Sequence, residues 1–326
     1  MTQINVSAKI SVFSVPQNMI TSSQNPKIKL VRALLGRPKE RREAGAFVVE
    51  GVRLVEEVET RNWRIRFVLY DETLNERGKL LVKSLKSRGI EVEEVSANMM
   101  KSLSETETPQ GILAVLEFSN LPIFNSLNFV LIPDLIREPG NLGALLRSAA
   151  AAGVQAVLLP PETTDAFAPK AVRAGMGAHF RLPIQSMSWD EIEQVITGSA
   201  SHLSKQDNSH RVDSAILSAE SNPSGATHPR LQVFLADMDG PSCWETDLRQ
   251  PLALIVGGEA EGASESARRL ATQKISIPMM GKMESLNAGV AGSVLMFEVV
   301  RQRSGVRSLL SSDSPKSGDF GLLGDQ

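Results

Sequence analysis

The amino-acid sequence predicts an α/β protein built from two consecutive domains. Short apolar runs rich in valine, isoleucine and leucine recur along the chain, and the segments between them have the spacing of amphipathic helices. The segment 119–126, which contains Pro122, interrupts this alternation and predicts a linker. The 326 residues are enough for two separate cores. Alternating strands and helices in the second half predict a parallel sheet covered by helices on both faces.

The first predicted domain covers residues 20–118, after a loose leader at residues 1–19. Asn25 and Pro26 predict a helix start, because an amide can cap the first turn and proline is favoured at the first helical position. The strands predicted after this helix are residues 47–49, 64–70, 90–95 and 112–116.

The second predicted domain covers residues 127–303. Its predicted strands are residues 129–132, 156–159, 231–235, 252–256 and 274–277. Its predicted helices are residues 141–152, 168–174 and 287–303. Residues 199–230 are rich in serine, asparagine and histidine and predict a loop insertion. The polar segment 304–326 predicts a disordered tail.

Composition excludes several classes of protein. Cys243 is the only cysteine and the four histidines lack ligand spacing, so no disulfide and no metal site are expected. No apolar run is long enough to span a membrane and no secretory signal is evident, so we expect a cytoplasmic protein without a membrane partner.

The net charge of −2 conceals a basic run at residues 27–42, which has seven cations and one anion. Such a nearly single-signed run favours phosphate contact at least as much as a solvated helix face. The predicted RNA-docking residues are Lys27, Lys29, Lys39, Arg41, Arg42 and Arg53.

Three segments have the residue types of a site. In the first, Asn141, Gly143 and Arg147 follow a strand. Asn141 can cap the helix or point into a cleft, and Gly143 is expected to leave space beside the Arg147 guanidinium. Taken alone, Arg147 is better explained as a surface arginine of an amphipathic helix.

The second segment is a glycine-rich turn after a strand, with Glu259 among Gly257, Gly258 and Gly262. Paired glycines permit close approach of a ligand or of another backbone. The turn matches neither a phosphate loop nor the dinucleotide fingerprint. The third segment contains Ile277, Pro278, Met279, Ser285, Leu286 and Asn287. Ser285 and Asn287 are also ordinary helix caps, and methionines are more often core residues than a ligand pocket.

In this order, the segments resemble the three motifs of the SpoU (TrmH-like) RNA 2′-O-ribose methyltransferases of the SPOUT superfamily. The first half also resembles the substrate-binding domain often fused to them, at residues 20–22, 24–26 and 47–51. Departures from the family pattern are mild: Ala260 replaces a glycine, Glu138 an aspartate and Gly175 a serine.

The resemblance implies a deep trefoil knot in the second domain and an L30e-like α/β/α first domain. It implies that S-adenosylmethionine is bound by Gly257, Gly258, Gly262, Ile277, Pro278, Met279 and Leu286. It also implies a homodimer whose active site lies at the interface.

The resemblance assigns Arg147 to the ribose 2′-hydroxyl, as general base or as a stabiliser of developing alkoxide charge. The residues expected to orient Arg147, ribose and donor are Asn141, Glu259, Ser285 and Asn287, with Glu259 as the ionic partner of Arg147. Structured RNA is the implied partner, and ribosomal RNA is favoured over transfer RNA.

Other functions stay open at the level of sequence. They are a transfer RNA 2′-O-methyltransferase, a non-catalytic RNA-binding or assembly factor with the same fold, and a SPOUT enzyme that methylates a base nitrogen. A nicotinamide-dependent oxidoreductase is disfavoured, because the dinucleotide fingerprint is missing.

Overall fold

The computed structural model describes residues 19–106, 108–119, 121, 126–198, 230–259, 261–281 and 285–310. Most of the predicted leader, linker and insertion, and the tail beyond residue 310, lie outside the described residues. The chain divides into two compact units, Met1–Glu117 and Phe118–Gln326.

The first unit is built on a four-stranded sheet in the order β1-β4-β2-β3. Its strands are β1 (Ala46–Glu50), β2 (Ile65–Tyr70), β3 (Val92–Glu94) and β4 (Ile112–Glu117). Its helices are α1 (Pro26–Leu35), α2 (Pro38–Ala44), α3 (Val52–Thr60), α4 (Glu76–Ser87) and α5 (Ala97–Leu103). Strand β4 pairs antiparallel with β1 and β2, whereas β2 and β3 are parallel.

The start of α1 is as predicted: the Asn25 side chain accepts a hydrogen bond from the Lys27 amide, and Pro26 is in the first turn. The basic run is divided between two helices, because α1 ends at Gly36 and Pro38 starts α2. Helices α1 and α5 share one core with alternate residues of the strands, whereas α3 contacts α4. Helices therefore lie on both faces of this sheet.

The second unit contains a six-stranded, fully parallel sheet in the order β10-β8-β9-β5-β6-β7. Its strands are β5 (Phe129–Pro133), β6 (Ala156–Leu159), β7 (Ile184–Ser186), β8 (Gln232–Ala236), β9 (Leu252–Val256) and β10 (Gln273–Ile275). Its helices are α6 (Pro139–Ala151), α7 (Pro169–Gly175), α8 (Trp189–Thr197), α9 (Glu265–Leu270) and α10 (Ala288–Leu310).

Two apolar cores lie on opposite faces of this sheet. Strand residues Leu131 and Leu254 pack with the apolar sides of α6 and α10, and their neighbours Ile132 and Ile255 pack with α8 and α9. All five residues of β5 and of β9 are buried, which is typical of central parallel strands. The predicted parallel sheet with helices on both faces is confirmed; the knot itself stays a prediction.

Two predicted boundaries are wrong. Helix α6 begins at Pro139 and is capped by Glu138, so Asn141 lies within its first turn and is not the cap. Helix α10 continues to Leu310, so residues 304–310 are helical and not part of a disordered tail. Extending an existing helix adds one hydrogen bond per residue, and Gly305 alone is too weak a breaker to stop it.

Gly175 departs from the family pattern for a steric reason. A Cβ atom there would lie 2.7 Å from Cε1 of the buried His179. His179 Nε2 is 2.7 Å from the carbonyl oxygen of Ala166, and Nδ1 has no hydrogen-bond partner within the described ranges. Burial lowers the pKa of His179 to about 4.

Within the described ranges, every helix is too short or too polar to cross a lipid bilayer.

Candidate active site

The candidate site lies where β5 and β9 end. These strands are parallel neighbours, so the loops that follow them lie side by side at the carboxyl edge of the sheet. The Asp134 amide donates to the Val256 carbonyl at 2.9 Å. A Cβ atom on Gly258 would lie 2.4 Å from the carbonyl oxygen of Leu135. Gly258 therefore allows the loop after β9 to lie directly against the loop after β5.

The loop after β9 is closed by its glycines. Gly258 and Gly262 exchange two backbone hydrogen bonds, of 3.0 and 3.1 Å. Gly262 has a φ of +69°, in the left-handed region that favours glycine. A Cβ atom on Gly257 would lie 2.8 Å from the Ala263 amide nitrogen. This compact turn fixes the backbone from which the Glu259 side chain projects.

Asn141, Glu259 and Asn287, one from each predicted motif, form a single hydrogen-bonded cluster. Asn141 Nδ2 donates to Glu259 Oε1. Asn287 Nδ2 donates to the same oxygen at 3.1 Å and to Asn141 Oδ1 at 3.0 Å. The structure therefore brings together three polar side chains that are far apart in the sequence.

The cluster forms because α6 and α10 pack closely near their starts. A Cβ atom on Gly289 would be 3.4 Å from Ala144 Cβ, and the hydroxyls of Ser148 and Ser293 are 2.7 Å apart. Asn287 also caps α10, since its Oδ1 accepts from the Val290 amide at 3.2 Å. Small residues between the helices thus place the start of α10 beside the first turn of α6.

The segment from Ile277 to Gly281 offers the features of a nucleoside site. Ile277, Pro278 and Met279 are half-buried, and Ile277 packs against the core. Within the described part of the chain, no backbone group from Ile277 to Gly281 is hydrogen-bonded. Apolar side chains beside free amides and carbonyls fit a flat heterocycle with polar edges, as in S-adenosylmethionine.

Arg147 and Ser285 lie outside the cluster. The Arg147 side chain is exposed on α6 and has no ion pair with any described residue. The predicted pair with Glu259 is wrong, because Asn141 and Arg147 are separated by about 9 Å along α6 and by about 120° around it. Gly143 leaves no space beside Arg147, since a Cβ atom there would lie 2.5 Å from the Ala171 carbonyl oxygen of α7. Ser285 is exposed next to Leu286.

Two of the predicted RNA-docking residues have structural partners instead. Arg41 is 2% exposed, and its Nη1 donates to the Leu34 and Gly36 carbonyls at 2.6 and 3.2 Å, which fixes the end of α1. Lys27 Nζ pairs with Glu91 at 2.6 Å and with Glu93. A buried Arg41 cannot contact RNA phosphates, so that prediction is wrong, whereas RNA docking by Lys27 stays a prediction.

The other predicted docking cations have exposed side chains. They are Lys29, Lys39, Arg42 and Arg53. Arg53 is on α3, across the sheet from α1, so the predicted single patch is divided.

Sequence reasoning missed Asp134, which directly follows β5 and is 0% exposed. Its Oδ2 accepts from the Ser264 amide at 2.6 Å. Burial raises the pKa of Asp134, and the hydrogen bonds from Ser264 oppose that rise. The sequence signal that could have revealed Asp134 is an acidic residue immediately after a fully apolar strand.

Fold and site together define an α/β enzyme with a ligand-binding edge at the carboxyl ends of its parallel strands. Comparison with known sequences agrees. The profile of the SpoU rRNA Methylase family matches residues 128–297, and that of the MRM3-like substrate binding domain matches residues 25–114. The chain belongs to the SpoU rRNA methylase family, which confirms the resemblance drawn from the motifs.

Individual relatives cover most of the chain. The human mitochondrial rRNA methyltransferase 3 is 30% identical in an alignment 310 residues long, which covers 84% of this chain and 71% of that protein. The 23S rRNA (uridine(2479)-2′-O)-methyltransferase of Streptomyces viridochromogenes is 28% identical, covering 86% and 92%.

Two solved structures are similar along nearly their whole length. The SpoU methyltransferase AviRb of Streptomyces viridochromogenes in complex with AdoMet has a TM-score of 0.67 and 26% identity, covering 86% of this chain and 100% of that one. The AdoMet-bound rRNA methyltransferase of Sinorhizobium meliloti has a TM-score of 0.68 and 26% identity, covering 87% and 97%.

Proposed function

We propose that this protein transfers a methyl group from S-adenosylmethionine to a ribose 2′-hydroxyl of structured RNA, with ribosomal RNA as the substrate. The observation that carries the proposal is the hydrogen-bonded cluster of Asn141, Glu259 and Asn287, which joins one polar side chain from each of the three motifs. The relatives named for rRNA 2′-O-methylation and the AdoMet-bound neighbours support the substrate and the donor.

The three motif segments have two functions, which are to bind the methyl donor and to orient the ribose. When bound, S-adenosylmethionine supplies an electrophilic methyl group on its sulfonium. The residues that would hold it are Gly257, Gly258, Gly262, Ile277, Pro278, Met279 and Leu286. Asn141, Glu259 and Asn287 orient the ribose, and their mutual hydrogen bonds keep the side chains in place before RNA arrives.

Arg147 is the group that acts on the nucleophile. A ribose hydroxyl is a weak nucleophile until its proton is lost. The exposed guanidinium is a cation with several hydrogen-bond donors, so it stabilises negative charge on the 2′-oxygen and the adjacent phosphate. Since its side chain is exposed and no described residue forms an ion pair with it, Arg147 is available to substrate.

The protein acts as a homodimer in this proposal. Val290, Val294 and Phe297 are 49%, 40% and 48% exposed, and their spacing places them on one side of α10. This apolar stripe begins three residues after Asn287 and lies on the helix that packs against α6. A second copy seated on the stripe would border the site that contains Arg147.

RNA is held by the first unit through the exposed cations of α1 and α2. Lys29, Lys39 and Arg42 keep their side chains in solvent. Phosphate contacts of this kind give affinity that falls with salt and has little base specificity.

The test compares Arg147→Ala with Arg249→Ala, a change of another exposed arginine, whose ion-pair partner among the described residues is the nearby Asp247. Methyl transfer to ribosomal RNA fragments is followed with labelled donor, and nuclease digestion locates the 2′-O-methyl nucleotide. We expect Arg147→Ala to lose about 100-fold or more in rate while it still binds the donor, and Arg249→Ala to be unaffected.

Three results would overturn the proposal. They are full activity in Arg147→Ala, methylation of a fragment that has a 2′-deoxyribose at the mapped position, and no transfer by the wild-type protein on any RNA. The last result, combined with retained RNA binding, would favour a non-catalytic factor.

A further inference from the structure

We infer that Asp134 is a positioning residue for the methyl donor, because it ties the glycine-rich loop after β9 to the end of β5. The inference rests on the proposed function, since it assigns to Asp134 a part in forming the donor site. The donor loop, here residues 257–259 and 261–264, is the segment whose geometry it controls.

The donor loop is attached at both ends, and Asp134 supplies the second attachment. At its start, the loop follows directly from β9 and is closed by the hydrogen bonds between Gly258 and Gly262. At its end, the Ser264 amide donates to Asp134 Oδ2 at 2.6 Å, and the Ser264 hydroxyl caps α9 through the Ala267 amide at 3.1 Å. Without the carboxylate, the end of the loop would be held through α9 alone, while its middle would keep the contacts of Glu259 with Asn141 and Asn287 and of Glu261 with Arg137.

The chain adopts a strained turn to place these parts together. Leu135, the residue after Asp134, has a φ of +55°, which is uncommon for a residue with a side chain. Its carbonyl oxygen lies where a Cβ atom of Gly258 would be. Two adjacent residues therefore contact the donor loop: Asp134 through its hydrogen bond from Ser264, and Leu135 through its carbonyl against Gly258.

The electrostatics of Asp134 argue against a role in stability alone. The carboxylate is 0% exposed, and its second oxygen, Oδ1, has no hydrogen-bond partner in the described part of the chain. Burial raises the pKa of Asp134, which means that the charged form is disfavoured. A buried carboxylate with one unmatched oxygen is a poor stabilising device. Its geometric effect is the fixed position of the Ser264 amide.

The experiment uses Asp134→Ala, which removes the acceptor, and Asp134→Asn, which keeps an acceptor oxygen but removes the charge. The control is Asp71→Ala, because Asp71 is also buried directly after a strand and also accepts from a backbone amide, that of Thr73 at 2.9 Å. S-adenosylhomocysteine binding is measured by calorimetry, and hydrogen exchange of the donor-loop amides is measured without ligand.

We expect Asp134→Ala to weaken S-adenosylhomocysteine binding about tenfold and to speed exchange in the donor loop. The KM for the methyl donor should rise by about the same factor, with kcat and the KM for RNA within about twofold of wild type. Asp134→Asn should weaken binding only about threefold, since the amide oxygen still accepts from Ser264. Asp71→Ala should leave binding and donor-loop exchange unchanged.

Equal binding by wild type and Asp134→Ala would overturn the inference, and so would an equal loss in Asp71→Ala. If Asp134→Ala does not fold, Asp134→Asn decides by the same two measurements, and unchanged binding with unchanged loop exchange rejects the inference. A wild-type protein that does not bind S-adenosylhomocysteine would overturn the proposed function as well, so the two failures are distinguishable.

Discussion

Replacement of Phe297 by serine should dissociate the proposed homodimer. Phe297 is 48% exposed in the isolated chain, so about 100 Å² of a ring with about 200 Å² of surface is available for a partner. At about 25 cal/mol per Å², burial of that area contributes about 2.5 kcal/mol. A twofold interface contains two such rings, so Phe297→Ser should cost about 5 kcal/mol, or between three and four decades in the dissociation constant.

Sedimentation velocity over a range of concentrations measures this dissociation constant directly. Leu80→Ser is the matched control, because Leu80 is 69% exposed on α4 of the first unit. We expect Phe297→Ser to be monomeric at micromolar concentration, with methyl transfer that recovers as its concentration is raised. The reasoning is refuted if Phe297→Ser associates as wild type does, or if Leu80→Ser dissociates to the same extent.

Three further predictions concern packing, pH and the basic run. Gly143→Ala places a methyl group 2.5 Å from a backbone oxygen of α7, so urea unfolding should show a loss of about 1–3 kcal/mol. Gly305→Ala should not destabilise, since its added methyl group would have no described atom outside the local helix backbone within 4 Å. His179 has a pKa of about 4 when folded and about 6.5 when unfolded, so its contribution is present above pH 6.5 and falls by up to about 3 kcal/mol as the pH drops to 4; His179→Gln should lack this component of the pH-dependent stability. Arg41→Gln should lower the melting temperature by leaving two backbone carbonyls without their donor, whereas Arg42→Gln should weaken RNA binding alone in filter assays at low salt.

Strand positions and the main alternation were predictable because they depend on local pattern. Runs such as Phe129–Pro133 and Leu252–Val256 are wholly apolar, which is what a strand covered on both faces requires. The start of α1 was predictable for the same reason, since Asn25 and Pro26 act within one turn. Short helices such as α5 were missed because seven residues give too little periodicity.

The three motifs of the site were predicted from the sequence, but the contacts between their side chains were not. Periodicity cannot show that Asn141, Glu259 and Asn287 meet, because their contact depends on the close packing of α6 against α10. For the same reason, the partner assigned to Glu259 was wrong. Arg41 shows a different limit of sequence reasoning. Its charge predicted an exposed side chain, but hydrogen bonds to backbone carbonyls at the end of α1 keep the guanidinium buried.

Asn287 meets two demands that very few side chains could meet together. Its oxygen receives the Val290 amide at the first turn of α10, and its nitrogen donates to Glu259 and Asn141. Aspartate at this position would still cap α10, but it would place a second negative charge next to Glu259. Serine has a single hydroxyl hydrogen and could not donate to both Asn141 and Glu259. The position is thus restricted by chemistry, and the correct start of the last helix and a correctly formed site depend on the same amide.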